Sequence, residues 1–244
     1  MMSLLLTTFL GDFDIRGLLM SILVLSLSLS LHEFSHAWMA YKMGDSTAAD
    51  LGRLTLNPLK HLDPIGSLVF LITRRIGWAK PVPINPARFS RKRSMRFGIM
   101  MVSLAGPLSN LLLALVSYLS FLIVQTIYLL THKGSIVTFN TMSFVGVILE
   151  LLFLMFWANL GLAVFNLLPV PPLDGYKVFG AALPSSIYYR IMQYERYIGM
   201  AFLILVFFGR GIISKVMGWI LYPLAWIIQT PLDALFKVIW EALF

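Results

Sequence analysis

The stretch Leu25-Ser26-Leu27-Ser28-Leu29-Ser30-Leu31-His32-Glu33-Phe34-Ser35-His36 admits two readings, and the choice between them decides the fold. Its first half alternates apolar and polar residues with a period of two, as a half-buried strand does. It lies, however, inside an apolar run from about Ile15 to Met43. Such a run is long enough to cross a bilayer, which takes about 20 residues. An isolated strand has no partner in lipid for its N–H and C=O groups, whereas a helix bonds them internally, so the helix wins. Ser26, Ser28 and Ser30 can then bond back to carbonyls one turn earlier.

Two further apolar runs follow, from about Phe97 to Leu130 and from about Val145 to Leu168. After Tyr194 the pattern is less regular. Ile198 to Phe208 is apolar, Gly209-Arg210-Gly211 interrupts, Val216 to Ile228 contains Pro223, and Phe236 to Phe244 is apolar again. This predicts one or two more spans. Composition agrees: of 244 residues, 59% are hydrophobic and 12% charged, about half the charged fraction of a soluble domain. That excludes an ordinary soluble globule and a disordered chain. There is no cysteine, which excludes a disulfide scaffold, a thiolate metal site and a cysteine nucleophile. The expected fold is an all-α polytopic membrane protein, with three spans followed by one or two C-terminal ones. Met1 to Leu10 lacks the positive n-region of a cleavable signal peptide. Residues 1–14 are expected as an N-terminal extracytoplasmic segment, 15–196 as the core and 197–244 as C-terminal membrane segments.

The stretch Leu51 to Arg96 reads differently. It contains Pro58, Pro64, Pro81, Pro83 and Pro86 between short apolar runs. Leu51-Gly52-Arg53-Leu54-Thr55-Leu56-Asn57 alternates like an edge strand. Gly66 to Ile72 is too short to span, so it is re-entrant, interfacial or buried in protein. A small strand-like or re-entrant segment is therefore expected here.

Basic residues orient the chain. Net charge is +8, and 11 of the 19 Lys and Arg fall between Lys42 and Arg96. Lys177, Arg190 and Arg196 follow the third run, while 131–144 holds only Lys133. The positive-inside rule puts 42–96 and 175–196 in the cytoplasm and 131–144 outside. The cluster Arg88, Arg91, Lys92, Arg93 and Arg96 is a topology anchor placed to meet anionic lipid headgroups. No recognition motif accompanies these residues, so nucleic acid is not an expected partner.

Chemistry concentrates at His32-Glu33-Phe34-Ser35-His36. On a helix, positions i and i+4 share a face, so both imidazoles can reach one ion. Glu33 beside them can take a proton from an attacking water. Two His and a Glu are costly within an apolar helix and mark function there, the alternative being a polar helix–helix contact. A catalytic zinc needs three protein ligands and an open position. His61 lies in the polar cytoplasmic stretch and His132 on the opposite side. Asp12, Asp14, Asp233 and Glu241 are near ends, and Glu150 is near the outer end of the third run. Asp174 remains, in Asn166-Leu167-Leu168-Pro169-Val170-Pro171-Pro172-Leu173-Asp174-Gly175. The three prolines forbid a regular helix and Gly175 permits a sharp turn, so this segment can present one carboxylate rigidly. The alternative for Asp174 is a helix N-cap.

His32-Glu33-x-x-His36, followed by Asn166-x-x-Pro169-x-Pro171-x-Leu173-Asp174-Gly175, resembles the site-2 protease family of intramembrane zinc metalloproteases. Ala105-Gly106-Pro107-Leu108-Ser109-Asn110 is similar to that family's Gly-Pro span. Asp63-Pro64-Ile65-Gly66 and Gly77-Trp78-Ala79-Lys80-Pro81-Val82-Pro83 resemble cytoplasmic segments of its compact members. The resemblance covers about residues 15–200. It implies that His32, His36 and Asp174 bind one Zn2+ per chain, with Glu33 as general base. It also implies a three-helix catalytic core plus the C-terminal spans, a site facing the cytosol of a prokaryotic cell membrane, and a transmembrane regulatory protein as substrate. No stretch is long enough for an inserted PDZ domain, and none matches an appended nucleotide-sensing domain.

Hydrolysis develops an oxyanion that an amide side chain can meet. Asn110, Asn159 and Asn166 are candidates, and Asn166 is preferred, against the alternative that it caps the broken helix end. A transmembrane helix hides its peptide bonds and must unwind before attack. The strand-like segment carrying Leu54 and Leu56 is expected to receive the extended substrate by strand addition. The rival readings are a membrane zinc peptidase for soluble peptides, and a non-proteolytic metal-binding scaffold or transporter. Spacing alone does not separate zinc from cobalt or iron.

Overall fold

The computed structural model describes residues 15–73, 77–92, 94–132 and 143–243. The 1–14 segment, Arg93 of the basic cluster and Lys133 of the 131–144 loop lie outside the described residues. Among the described residues, five helices are long and apolar enough to cross a membrane. They are α1 (Ile15–Lys42), α4 (Met95–Thr131), α5 (Phe144–Asn166), α7 (Ser185–Phe208) and α8 (Arg210–Leu243). Shorter helices lie between them: α2 (Thr47–Asp50), α3 (Pro64–Thr73) and α6 (Asp174–Ala182). The three apolar runs thus became helices within two residues of their expected ends, and the irregular tail became two. Among the described residues there is no strand, and the molecule is an all-α polytopic membrane protein.

The alternating Leu/Ser stretch is helical throughout. Its serines do what lipid demands of a hydroxyl: Ser28 and Ser30 donate to the carbonyls of Val24 and Ser26 at 2.7 and 2.6 Å, and Ser26 donates to Leu23. Each hydroxyl proton is thus used within α1 itself. α1 packs on α5 through Met20, Val24 and Leu154. α4 and α5 share the largest core cluster, built from Ala114, Tyr118 and Leu122 against Phe153, Phe156 and Leu160. Ala225 and Phe236 of α8 complete it. α1, α4 and α5 therefore form the central bundle, with α8 laid on the α4–α5 side and α7 mostly exposed.

The strand expected over Leu51 to Asn57 is not there. Gly52 takes φ +64°, in the left-handed region, and ends the alternation at its second residue. Thr55 Oγ1 accepts from Asn57 N, and Asn57 Oδ1 from Leu59 N. These short polar side chains give the backbone local partners in place of a ladder. Among the described residues of this region only one isolated bridge forms, between Leu62 and Ala79. Leu54 packs against Ala37, Ala48 and Val82, whereas Leu56 is 55% exposed. Strand addition at Leu54 and Leu56 therefore loses the edge it needed. The short Gly66 to Ile72 run is helical, within α3. α3 approaches the next segment closely: a Cβ on Gly66 would sit 2.3 Å from the Trp78 carbonyl oxygen.

The prolines after α5 break the helix as expected. The backbone from Leu167 to Leu173 has no regular structure, and α6 starts at Asp174. The N-cap position belongs to Leu173, so Asp174 is the first residue inside α6 and not its cap. Gly175 makes this junction possible, because a Cβ there would lie 2.3 and 2.5 Å from the carbonyl oxygens of Leu167 and Leu168.

Candidate metal centre

α1 and the start of α6 bring three ligand atoms together. His32 Nε2 lies 2.9 Å from His36 Nε2, and Asp174 Oδ2 lies 3.2 and 3.1 Å from them. Both imidazoles are buried, and Asp174 is half-buried. A tetrahedral zinc with bonds of about 2.0–2.1 Å separates its ligand atoms by about 3.3 Å, close to this triangle. Among the described residues this is the one group of three His or carboxylate side chains that could hold a metal.

The hydrogen bonds behind the imidazoles decide what the triangle wants. His32 Nδ1 meets Asn110 Oδ1 at 2.6 Å, and His36 Nδ1 meets the Val102 carbonyl at 2.7 Å. Carbonyl-type oxygens only accept, so each Nδ1 carries a proton and Nε2 is the nitrogen whose lone pair can serve an ion. Two lone pairs and a carboxylate oxygen facing one point repel one another unless a cation lies between them. The donor set, two imidazoles and one carboxylate, suits zinc with one position left open.

α4 supplies the wall of the site. Pro107 has no N–H for the Ser103 carbonyl, so the helical ladder loosens there. The neighbouring Val102 carbonyl is the one that accepts from His36. Gly106 faces the imidazoles directly, and a Cβ on it would stand 2.4 Å from His36 Nε2 and 2.6 Å from His32 Cε1. The glycine of the Gly-Pro pair thus leaves the space that the ligands occupy.

A buried amide chain ties three helices to this centre. Asn110 Nδ2 donates to Asn159 Oδ1 at 2.7 Å, and Asn159 Nδ2 donates to Ser28 Oγ at 2.8 Å. Both asparagines are fully buried. In an apolar bundle such amides persist only when bonded. From sequence alone Asn110 and Asn159 are candidate oxyanion donors, and this supporting role is not apparent. The available signal was Asn110 itself, a polar residue deep in the second apolar run.

The remaining candidates are placed elsewhere. Glu33 is half-buried and its Oε2 accepts from the Val82 N–H at 2.9 Å. Asn166, the last residue of α5, donates from Nδ2 to the Leu162 carbonyl at 3.0 Å. Glu150 pairs with Arg16, Asp233 accepts from Tyr118, and Glu241 lies near Lys237. His61 is buried against the Thr55 carbonyl, and His132 is exposed at the end of α4. None of these joins the triangle.

Comparison with known proteins fits this site. The profile of Peptidase family M50 matches residues 20–206. The chain is 37% identical over 222 residues to "Putative zinc metalloprotease YwhC" of Bacillus subtilis (strain 168), covering 91% of this chain and 93% of that protein. It is 30% identical over 206 residues to "Putative zinc metalloprotease Rip2" of Mycobacterium tuberculosis (strain ATCC 25618 / H37Rv), covering 82% and 69%. With the protein of that name from Mycolicibacterium smegmatis it shares 34% over 154 residues, 62% and 52% of the two chains. No solved structure gave a significant match.

Proposed function

The chain belongs to peptidase family M50, the site-2 protease family, and we propose that it is an intramembrane zinc endopeptidase acting on membrane-bound regulatory proteins. A membrane metalloprotease with zinc as cofactor is what the family and the relatives support. The narrower reading is cleavage in or near transmembrane helices, as part of regulated intramembrane proteolysis. It is carried by one observation: two imidazoles and a carboxylate converge inside an apolar helix bundle, beside a glutamate.

In this reading His32, His36 and Asp174 hold one zinc per chain. Zinc, when bound, supplies Lewis-acid polarisation of the scissile carbonyl and an acidified water. Glu33 would take the proton from the attacking water as the water oxygen bonds to the carbonyl carbon. As the C–N bond breaks, Glu33 returns the proton to the leaving nitrogen. Val82 occupies only Oε2, which leaves the other carboxylate oxygen for this work. Asn166 spends one N–H on Leu162 and keeps a second for the developing oxyanion. Exposed Leu56 meets the substrate by side-chain packing, with Leu54 backing it from the small cluster.

The site lies by the end of α1 that leads into 42–96, the most basic part of the chain, because Val82 of that segment reaches Glu33. With basic loops inside, the site faces the cytoplasm, where water is available. Arg88, Arg91, Lys92 and Arg96 then lie at the level of anionic headgroups. The relatives are bacterial, which supports a bacterial cell membrane as the location.

The test uses purified wild type and Glu33→Gln in detergent micelles. The probes are a single-span peptide labelled with fluorophore and quencher, and a soluble peptide with the same flanks. The proposal expects the wild type to cut the span, with Glu33→Gln slower by at least about 100-fold while zinc is retained. Cutting of the soluble peptide alone would make it a peptidase for cytosolic peptides. A zinc-loaded wild type that cuts neither would be a scaffold or transporter.

A further inference from the structure

We propose that the backbone N–H of Val82, held in a proline strap fastened by Arg53, positions the Glu33 carboxylate for proton transfer. This rests on Glu33 being the general base.

The strap is Lys80-Pro81-Val82-Pro83-Ile84. Pro81 and Pro83 have no N–H, so Val82 carries the only backbone donor of the three. A residue that precedes proline is held extended, and both flanking rings fix their own φ. The sequence thus builds a stiff backbone with one outward donor, and that donor meets Glu33 Oε2 at 2.9 Å. The two residues are 49 apart in sequence.

The strap cannot slide. On one side Lys80 N donates to the His61 carbonyl at 2.8 Å. Arg53 Nη2 donates to the Lys80 carbonyl at 2.7 Å, and Arg53 is buried to 9% exposure. On the other side Asn85 N donates to Asp45 Oδ2 at 2.6 Å. The Val82 side chain is buried against Ala37 and Ala48. Ala37 follows Glu33 by four residues and so shares its face of α1. One residue therefore uses its side chain to register the strap on α1 and its N–H to hold the glutamate there. A carboxylate fixed at one oxygen has the other aimed, which lowers the cost of reaching the proton-transfer geometry.

Val82→Pro removes the N–H, and Val82→Ala keeps it while trimming the packing. Two readouts separate positioning from mere covering. The first is the infrared carboxylate band of Glu33 in metal-free protein, assigned by subtracting the Glu33→Gln spectrum. It moves in Val82→Pro and stays in Val82→Ala. The second uses zinc-loaded protein and the labelled single-span peptide. There Val82→Pro loses about 10- to 100-fold in kcat, with KM within about 3-fold and zinc content unchanged. Equal spectra, or equal kcat for Val82→Pro and Val82→Ala, would overturn the proposal. If Val82→Pro does not fold, Arg53→Gln decides, since it frees the strap and leaves the N–H. A shifted band with lower kcat supports the proposal, and no change in either overturns it. Failure of the protease reading looks different: Glu33→Gln stays active, or the wild type cuts nothing, while the spectra still report the contact.

Discussion

His32 Nδ1 lies 2.6 Å from Asn110 Oδ1, and this contact fixes which nitrogen of His32 is free. The amide oxygen can only accept, so a proton is kept on Nδ1, and Nε2, 3.2 Å from Asp174 Oδ2, is the nitrogen left to bind an ion. Asn110 is itself held by Asn159 on α5 and by the Ser28 carbonyl on α1.

That chain gives the first prediction. Asn110→Ala weakens zinc binding by about 10- to 100-fold, the usual loss when a ligand's supporting partner is removed. Asn110→Asp keeps an acceptor for His32 and retains most of the affinity. Competition with a chromophoric chelator measures both. Equal affinity in wild type and Asn110→Ala would show that the contact does not orient the ring.

Gly106→Ala tests the wall of the site. The added methyl would stand 2.4 Å from His36 Nε2, well inside van der Waals contact. The expected outcome is a protein with wild-type helix content by circular dichroism that no longer holds zinc. Stoichiometric zinc in this variant would mean that α4 stands further from the ligands.

The cytoplasmic turn supplies a pH dependence. Burial pushes the Asp45 carboxyl up, but bonds from the Thr47 hydroxyl, Asn85 N and Thr47 N, with Arg88 nearby, outweigh it and hold it below the usual carboxylate range. The unfolded chain, with Asp45 near 3.9, therefore binds the proton more readily. Asp45 adds its full stability above about pH 5, and that share drains away as pH falls through 3.9 towards the lower folded value. Thermal unfolding in detergent between pH 7 and pH 3 measures it. Asp45→Asn lowers Tm at pH 7 and narrows the fall between the two pH values. An equal fall in both proteins would assign the acid loss to other groups.

α8 is docked by two polar contacts in an apolar setting. Tyr118 donates to Asp233 Oδ1 at 2.6 Å, and Trp240 Nε1 donates to Thr126 Oγ1 at 2.8 Å. Tyr118→Phe leaves Asp233 without that donor and costs about 1–3 kcal/mol. Because α8 supplies no ligand, zinc content is unchanged while Tm falls. Loss of zinc in Tyr118→Phe would show that α8 shapes the site.

Much of this site was legible because lipid makes polar residues expensive. His32, Glu33 and His36 stand out within an apolar run, and Pro169 to Pro172 leaves few conformations for the approach to Asp174. The same logic decided helix over strand at Leu25 to Leu31, where the serines bond back as expected. It failed at Leu51 to Asn57, outside the lipid argument. Alternation there suggested an edge strand, but Gly52 and the side chains of Thr55 and Asn57 turn the chain locally. The strap was illegible for another reason. Its contacts with Glu33, Arg53 and Asp45 span 49, 27 and 40 residues, and no local pattern encodes them. Asn110 was visible as a polar residue, but its bond to His32 depends on how α4 packs on α1.

The proposed activity depends on His32, His36 and Asp174 together holding one catalytic metal. Its most direct test needs no substrate. Wild type, His36→Ala and Asp174→Ala are purified in detergent, and bound metals are quantified by mass spectrometry. The expected result is about one zinc per wild-type chain and little in either variant. Zinc retained in Asp174→Ala but lost in His36→Ala would remove Asp174 from the site. A folded wild type that binds no zinc even when it is supplied would contradict a three-ligand metal site outright.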